Sequence, residues 1–362
     1  MLQLGTILHS KGFYITIAHT QFNFPNPLNY PDFNFLEMYE GLHEQNVSSH
    51  NFIDVISGFN ANCKAPLQES LARMMEKEDQ HNAMMLELVE PLRLKDLPIT
   101  NFRDLDDLLQ LIVKAHDSRS SSAIIWNTMD CLEQSSSALL RQEYQLPWFP
   151  IGPLHRTIPA PSTSLLKEDQ NCISWMDKQS HNSVIHASVG SIAFLDSKEL
   201  AEMVWGLANS EHPFLWVVRT NSILLPESFQ ETVGERGCIT KWAPQKEVLA
   251  HSAVGGFWSH CGWNSTIESI SEEVPTICQP YFGDQRVNSR YLSQVWGVGL
   301  EWENDMNRGP IEEAIRMLMV GKEGEVIRQR TKDLKVKIEL SMKQAGSSYN
   351  SLNELVDQIL SF

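Results

Sequence analysis

Residues 242 to 285, WAPQKEVLAHSAVGGFWSHCGWNSTIESISEEVPTICQPYFGDQ, hold the side chains of this chain best suited to chemistry. The segment His260-Cys-Gly-Trp-Asn-Ser265 follows an apolar run and precedes an amphipathic one, so it falls where a strand ends and a helix begins. Free backbone N–H groups and the helix dipole at such a junction attract an anion, a phosphate above all. Gly262 lets the backbone come close to the ligand, and His260, Asn264 and Ser265 add side-chain donors. Further along, the Glu268 carboxylate can accept both hydroxyls of a vicinal diol. Trp242 offers an indole on which a flat base can stack. Taken singly, several of these residues have plainer roles. Trp242 and His260 would each be ordinary core residues, His251 a contact at a helix end, and Cys261 a small buried side chain rather than a nucleophile. By itself the strand-to-helix junction at 260–265 points to an anion.

The same run resembles the donor-binding box of plant family 1 UDP-glycosyltransferases. Its positions are filled by Trp242, Ala243, Pro244, Gln245, His251, Gly255, Phe257, His260, Cys261, Gly262, Trp263, Asn264, Ser265, Glu268, Ser269, Val274, Pro275, Pro280, Asp284 and Gln285. Glu273 departs from the pattern, standing where the family usually has glycine, at the turn before Val-Pro. The resemblance implies UDP-glucose as donor. Uracil would stack on Trp242 and meet the backbone of Ala243, and the ribose would lie between Gln245 and Glu268. The diphosphate would rest on His260-Cys-Gly262-Trp263-Asn264-Ser265 and on Ser191, which ends a His-Ala-Ser-Val-Gly-Ser run where the family has Tyr-Val-Ser-Phe-Gly-Ser. Asp284 and Gln285 resemble the pair that grips the sugar hydroxyls, and the glutamine points by analogy to glucose rather than galactose. The implied reaction is inverting transfer to a hydroxyl of a small lipophilic plant metabolite, with no metal and no other cofactor.

Composition is compatible with that reading and excludes others. At 362 residues the chain has room for two α/β domains, and 42% hydrophobic with 20% charged residues is ordinary for a globular protein. A formal net charge of −16 argues against nucleic acid or anionic membrane as partner. No apolar run approaches a membrane span, and the start lacks a basic leader and a cleavage site. The six cysteines form neither a CxxC pair nor a disulfide ladder, which suits reduced thiols in the cytoplasm. Asp104-Leu-Asp106-Asp107 superficially resembles the Asp-x-Asp of metal-dependent transferases. It stands at a predicted helix start, where carboxylates favour the dipole, and no cluster has metal-ligand spacing.

Strands alternate with helices in the carboxyl-terminal half, the rhythm of a doubly wound sheet. Strands are expected at 184–190, 213–219, 238–242, 254–260 and 275–280. Helices are expected at 245–251, 264–272, 284–295, 311–320, 325–344 and 349–360, with Asp196 and Glu199 forming a capping box ahead of another. In the amino-terminal half the expected elements are a helix at 2–10, strands at 14–20, 33–38 and 123–128, and a helix at 105–115. The Pro- and Ser-rich stretch 148–164 reads as an interdomain linker.

These pieces imply an α/β fold of the GT-B type, two facing Rossmann-like doubly wound domains. The division is 1–147 for the acceptor-side domain, 148–164 for the linker, 165–345 for the donor-binding domain and 346–362 for a closing helix. The resemblance also implies two losses. The family's catalytic histidine lies on a loop ahead of the helix that here begins at Met1, and its orienting aspartate lies on a strand that falls in a gap near 76–92. Neither has a match, so the amino-terminal domain is expected to be incomplete and this polypeptide impaired. Three descriptions stay open: a UDP-glucosyltransferase by descent, a UDP-sugar-binding protein without catalysis, or the unproductive product of a pseudogene or of mis-splicing.

Overall fold

A computed structural model describes residues 1–19, 24–37, 92–96, 122–144, 146–157, 164, 166–190, 195–218, 233–302 and 306–361. Helix α1 (Leu2–Ser10) opens the chain and leads into β1 (Thr16–His19), which pairs in parallel with β2 (Asn34–Glu37). A second parallel pair joins β3 (Ile124–Trp126), through α2 (Asp130–Tyr144), to β4 (Trp148–Pro150). Residues 148–150, at the head of the expected linker, are therefore a buried strand, and Leu154–Thr157 forms the short helix α3. Among the described residues the amino-terminal half holds only these two separate pairs. The helix expected at 105–115, the gap near 76–92, the Asp104–Asp107 cluster and Ser191 lie outside the described residues.

The carboxyl-terminal half is one parallel sheet. Helix α4 (Asn171–Met176) precedes β5 (Val184–Ser188), then follow α5 (Ser197–Asn209), β6 (Phe214–Val217), β7 (Gly237–Thr240), α6 (Gln245–Ala250) and β8 (Val254–Ser259). Helix α7 (Trp263–Ser271), β9 (Thr276–Cys278), α8 (Gln285–Arg290) and β10 (Gly299–Glu301) complete the sheet, with a π-helical turn at Tyr291–Val295 extending α8. The six strands lie in the order β10-β9-β8-β5-β6-β7. Winding reverses between β5 and β8, and in such sheets the crevice beyond the carboxyl ends of those two strands is the ligand site. The strand β10 was not foreseen: its three residues sit in a Gly-Val-Gly-Leu run too short to show a period.

Strands β5, β6 and β8 are buried along their whole length, as a parallel sheet covered on both faces requires. Leu207, Trp216, Trp258 and Ile315 build the core on one face, and Met176, Leu215, Val248 and Phe257 the other. Each of these large side chains contributes roughly 1.5–3 kcal/mol by leaving water. The capping box at α5 is present, Asp196 accepting from Lys198 and Glu199 N–H groups while Glu199 accepts from Asp196 N–H. Helices α9 (Arg308–Val320), α10 (Lys322–Met342) and α11 (Ser347–Leu360) close the chain. The last returns to the amino-terminal half: Leu352 and Leu355 pack with Ile7, Phe149 and Ile151.

Glu273 adopts φ +66°, the left-handed conformation that explains why glycine suits this turn into β9. His186 is fully buried on the central strand, its ring stacked on Phe257 with centroids 4.9 Å apart.

Candidate active site

The carboxyl end of β8 passes to α7 through His260, Cys261 and Gly262, beside Gly190 at the end of β5. Space here is tight. A Cβ on Gly190 would meet His260 Nε2 at 2.6 Å, and one on Gly262 would meet the same atom at 2.6 Å. Two glycines thus clear room for the imidazole, and Gly190 also takes φ +77°. Cys261 sits at φ +62°, a strained kink held by its N–H to Ser259 Oγ (3.0 Å) and its carbonyl to Asn288 Nδ2 (3.0 Å). Its thiol is buried and pushed well up by that burial, in keeping with a packing role. Burial lowers the pKa of His260, against the pull of the Ser188 carbonyl and the Asp284 carboxylate, so the ring is neutral near pH 7. Its Nδ1 is buried with no partner at hydrogen-bonding geometry.

Helix α7 starts at Gly262, and its first helical bond runs from Thr266 N–H to the Gly262 carbonyl at 2.9 Å. The N–H groups of Trp263, Asn264 and Ser265 are thus left at the helix mouth, where the dipole is positive. Anion binding is the chemistry this geometry supports.

One turn on, three residues share a hydrogen-bond set. Gln245 Nε2 donates to Glu268 Oε2 at 2.8 Å and to Ser265 Oγ at 3.0 Å. Burial raises the Glu268 pKa, with the Gln245 amide and the Lys246 charge opposing it. Trp242 is half-buried against the Leu215–Val248 core, and its Nε1 donates to Ser164 Oγ at 2.6 Å. Ala243 is buried beside it, which leaves only its backbone for a ligand.

Asp284 and Gln285 lie across the strand ends. The exposed Asp284 carboxylate accepts from Asn288 Nδ2 at 3.0 Å. Gln285 is buried, and its Oε1 accepts from the N–H groups of Tyr281 (2.9 Å) and Phe282 (3.2 Å). With that oxygen committed to the backbone, any hydrogen bond from Gln285 to a sugar comes from Nε2.

A cavity of about 380 Å³ opens between the two halves, lined by Ile17, His19, Asn127, His155, Asn264 and Glu268. Two site residues of the box, Asn264 and Glu268, thus share one space with the end of β1. His19 packs against Phe24 with ring centroids 4.4 Å apart and the planes tilted by 36°. Two of the lining residues were missed by sequence reasoning. The Asn127 carbonyl accepts from Trp263 Nε1 at 2.8 Å, and its side chain joins Leu154 N–H (3.0 Å) to Asn264 (3.5 Å). His155 has both ring nitrogens buried without partners, and burial with the nearby Arg156 charge pushes its pKa down to about 4. An Asn after a short strand and a His after Gly-Pro-Leu carry no periodicity, so only the crossing of the two halves reveals them.

The profile of the family described as "UDP-glucoronosyl and UDP-glucosyl transferase" matches residues 115–328, more than half of the chain. The chain belongs to this family. It is 42% identical to tomato (Solanum lycopersicum) UDP-glycosyltransferase 76E1, over 99% of this chain and 89% of that protein. It is 39% identical to Arabidopsis thaliana flavonol 3-O-glucosyltransferase UGT76E12, over 98% of this chain and 93% of that protein. The tomato alignment extends over 424 positions against 362 residues here, so stretches of that relative face no residue of this chain. The fold is that of Os79 from O. sativa, solved in complex with UDP: TM-score 0.81 at 24% identity, covering 99% of this chain and 96% of that one. The architecture is therefore GT-B and the enzyme class glycosyltransferase. Its donor is a UDP-sugar. No helix among the described residues is long and apolar enough to cross a membrane.

Proposed function

We propose that this UDP-glycosyltransferase binds UDP-glucose along the carboxyl ends of β5 and β8 and transfers glucose, with inversion, to a hydroxyl of a small lipophilic metabolite. The observation that carries the proposal is the bonded set Gln245–Ser265–Glu268 next to the open mouth of α7. Glu268, already oriented by Gln245, takes the ribose diol, and Trp242 stacks on uracil above buried Ala243. The N–H groups of Trp263, Asn264 and Ser265, with neutral His260 donating, hold the diphosphate. Charge that grows on the leaving UDP meets donors already in place, which is where such sites lower a barrier, and no metal is required for that step. Ser191 joins the phosphate contacts by its place three residues after β5 ends at Ser188. Asp284 and the Nε2 of Gln285 take the sugar hydroxyls.

On this reading residues 1–147 form the acceptor side, 148–164 carry the crossing, 165–345 bind donor and 346–362 close the molecule. The flavonol-directed relative supports a phenolic acceptor. The free cysteines among the described residues suit the cytoplasm. Acidic phenols, which need least help in losing a proton, are the acceptors we expect to be glucosylated fastest. Calorimetric titration with UDP-glucose tests the assignment. Saturable binding that Glu268→Ala weakens supports it, whereas tight binding unaffected by Glu268→Ala rules it out. UDP-galactose binding as tightly as UDP-glucose would remove the glucose preference.

A further inference from the structure

Helix α8 presents the proposed sugar pair at one end and is gripped from two sides. On the face shared with Asp284, Asn288 donates to the Cys261 carbonyl and to Asp284 itself, both at 3.0 Å. The opposite face carries Arg286 and Arg290, one turn apart, and both reach residues 92–96 of the amino-terminal half. Arg286 donates to the Lys95 carbonyl at 3.0 Å. Arg290 bonds Glu301 on β10 at 2.9 Å and lies 3.8 Å from Asp96. Arg93 completes the ring: it donates to both Asp96 oxygens (2.9 and 2.8 Å) and contacts Glu301.

Cations and anions alternate around this ring, and Asp96 is only 4% exposed at its side chain, Glu301 16% and Arg290 17%. A charge so far from water stays only where its partners are fixed, so the ring has one geometry rather than many. Bidentate pairing of Arg93 with Asp96 narrows that geometry further. Through Arg286 and Arg290 the Arg93–Asp96 turn bears on the helix that begins with the proposed sugar pair.

We propose that Asp96, with Arg93 and Arg290, is a positioning residue: it sets helix α8 so that Asp284 and Gln285 meet the donor sugar, and segment 93–96 thereby governs binding of the sugar and not of the nucleotide. The proposal rests on the reading that Asp284 and Gln285 hold the sugar. It also makes the amino-terminal half a contributor to donor selection.

The test is calorimetric titration of the whole chain with UDP and with UDP-glucose. It compares wild type, Asp96→Asn, Asp96→Glu, Arg290→Lys and, as reference, Asp284→Ala. We expect Asp96→Asn and Arg290→Lys to leave UDP affinity within about twofold while UDP-glucose weakens about tenfold, a coupling of ordinary size. Asp96→Glu, which restores the carboxylate, should recover part of the loss. If UDP and UDP-glucose weaken together, the ring merely supports the fold and the proposal is wrong. It is equally overturned if Asp284→Ala weakens UDP-glucose alone while the ring variants change neither ligand. Should Asp284→Ala itself leave UDP-glucose untouched, the sugar reading fails and takes this proposal with it.

Discussion

Replacing His186 by phenylalanine should make the protein resist mild acid. The imidazole is fully buried on β5, stacked on Phe257 at an interplanar angle of 6°. Its Nδ1 lies 3.4 Å from the Leu215 carbonyl, and its Nε2 has no partner. Burial pushes the pKa down to about 4, the carbonyl opposing only in part. In an unfolded chain the same group titrates near about 6.5. The unfolded state therefore binds the proton more readily between those values, so stability is complete above roughly pH 6.5 and falls as pH drops toward 4. At pH 5, about 1.5 pH units below the unfolded value, protonation favours the unfolded form by about 2 kcal/mol. Phenylalanine keeps the stacking volume, removes the unpaired nitrogen and titrates nowhere. Stability at pH 7.5 should change by less than about 1 kcal/mol. His155, depressed to about 4 by the same cause, remains in the variant, so part of the acid sensitivity persists. Urea unfolding followed by circular dichroism at pH 7.5 and pH 5 measures both numbers. If wild type and His186→Phe lose equal stability over that interval, His186 does not titrate as argued and the reasoning is refuted.

Further outcomes follow from the site and its turns. Glu268→Ala should weaken UDP-glucose about 10- to 100-fold, the worth of a charged hydrogen-bonding group, as read by titration calorimetry. Because burial raises the Glu268 pKa, wild-type affinity should be full above that pKa and decline on acidification earlier than an ordinary glutamate would allow. Gly190→Ala puts a methyl 2.6 Å from His260 Nε2 on a backbone at φ +77°. It should cost about 1–2 kcal/mol in the melt and weaken UDP as well. Glu273→Gly relieves a left-handed glutamate and should stabilise by about 1 kcal/mol, seen as a raised Tm with donor affinity unchanged.

Much was legible in the residues alone because the donor box is local. Trp242, Gln245, His260, Ser265 and Glu268 sit within a few turns of one another, and the strand, glycine and helix that present them follow from apolar runs and Gly262. Strands β5 to β9 were legible for the same reason, since a buried parallel strand is a short apolar run between turns. The strained turn at Glu273 was visible as a missing glycine. Interactions between distant segments were not visible. The order β10-β9-β8-β5-β6-β7 decides that Gly190 and His260 share one crevice, although 70 positions separate them. Asn127 and His155 join the cleft because the chain crosses from one half to the other there. The return of α11 to Phe149 and Ile151, and the ring of Arg93, Asp96, Arg290 and Glu301, likewise depend on packing between halves. Local spacing determines which groups can bind a nucleotide sugar, because strand ends and helix starts are made by neighbours in the chain. Only the tertiary structure decides what faces the cleft, because burial and charge pairing join segments that no sequence spacing relates.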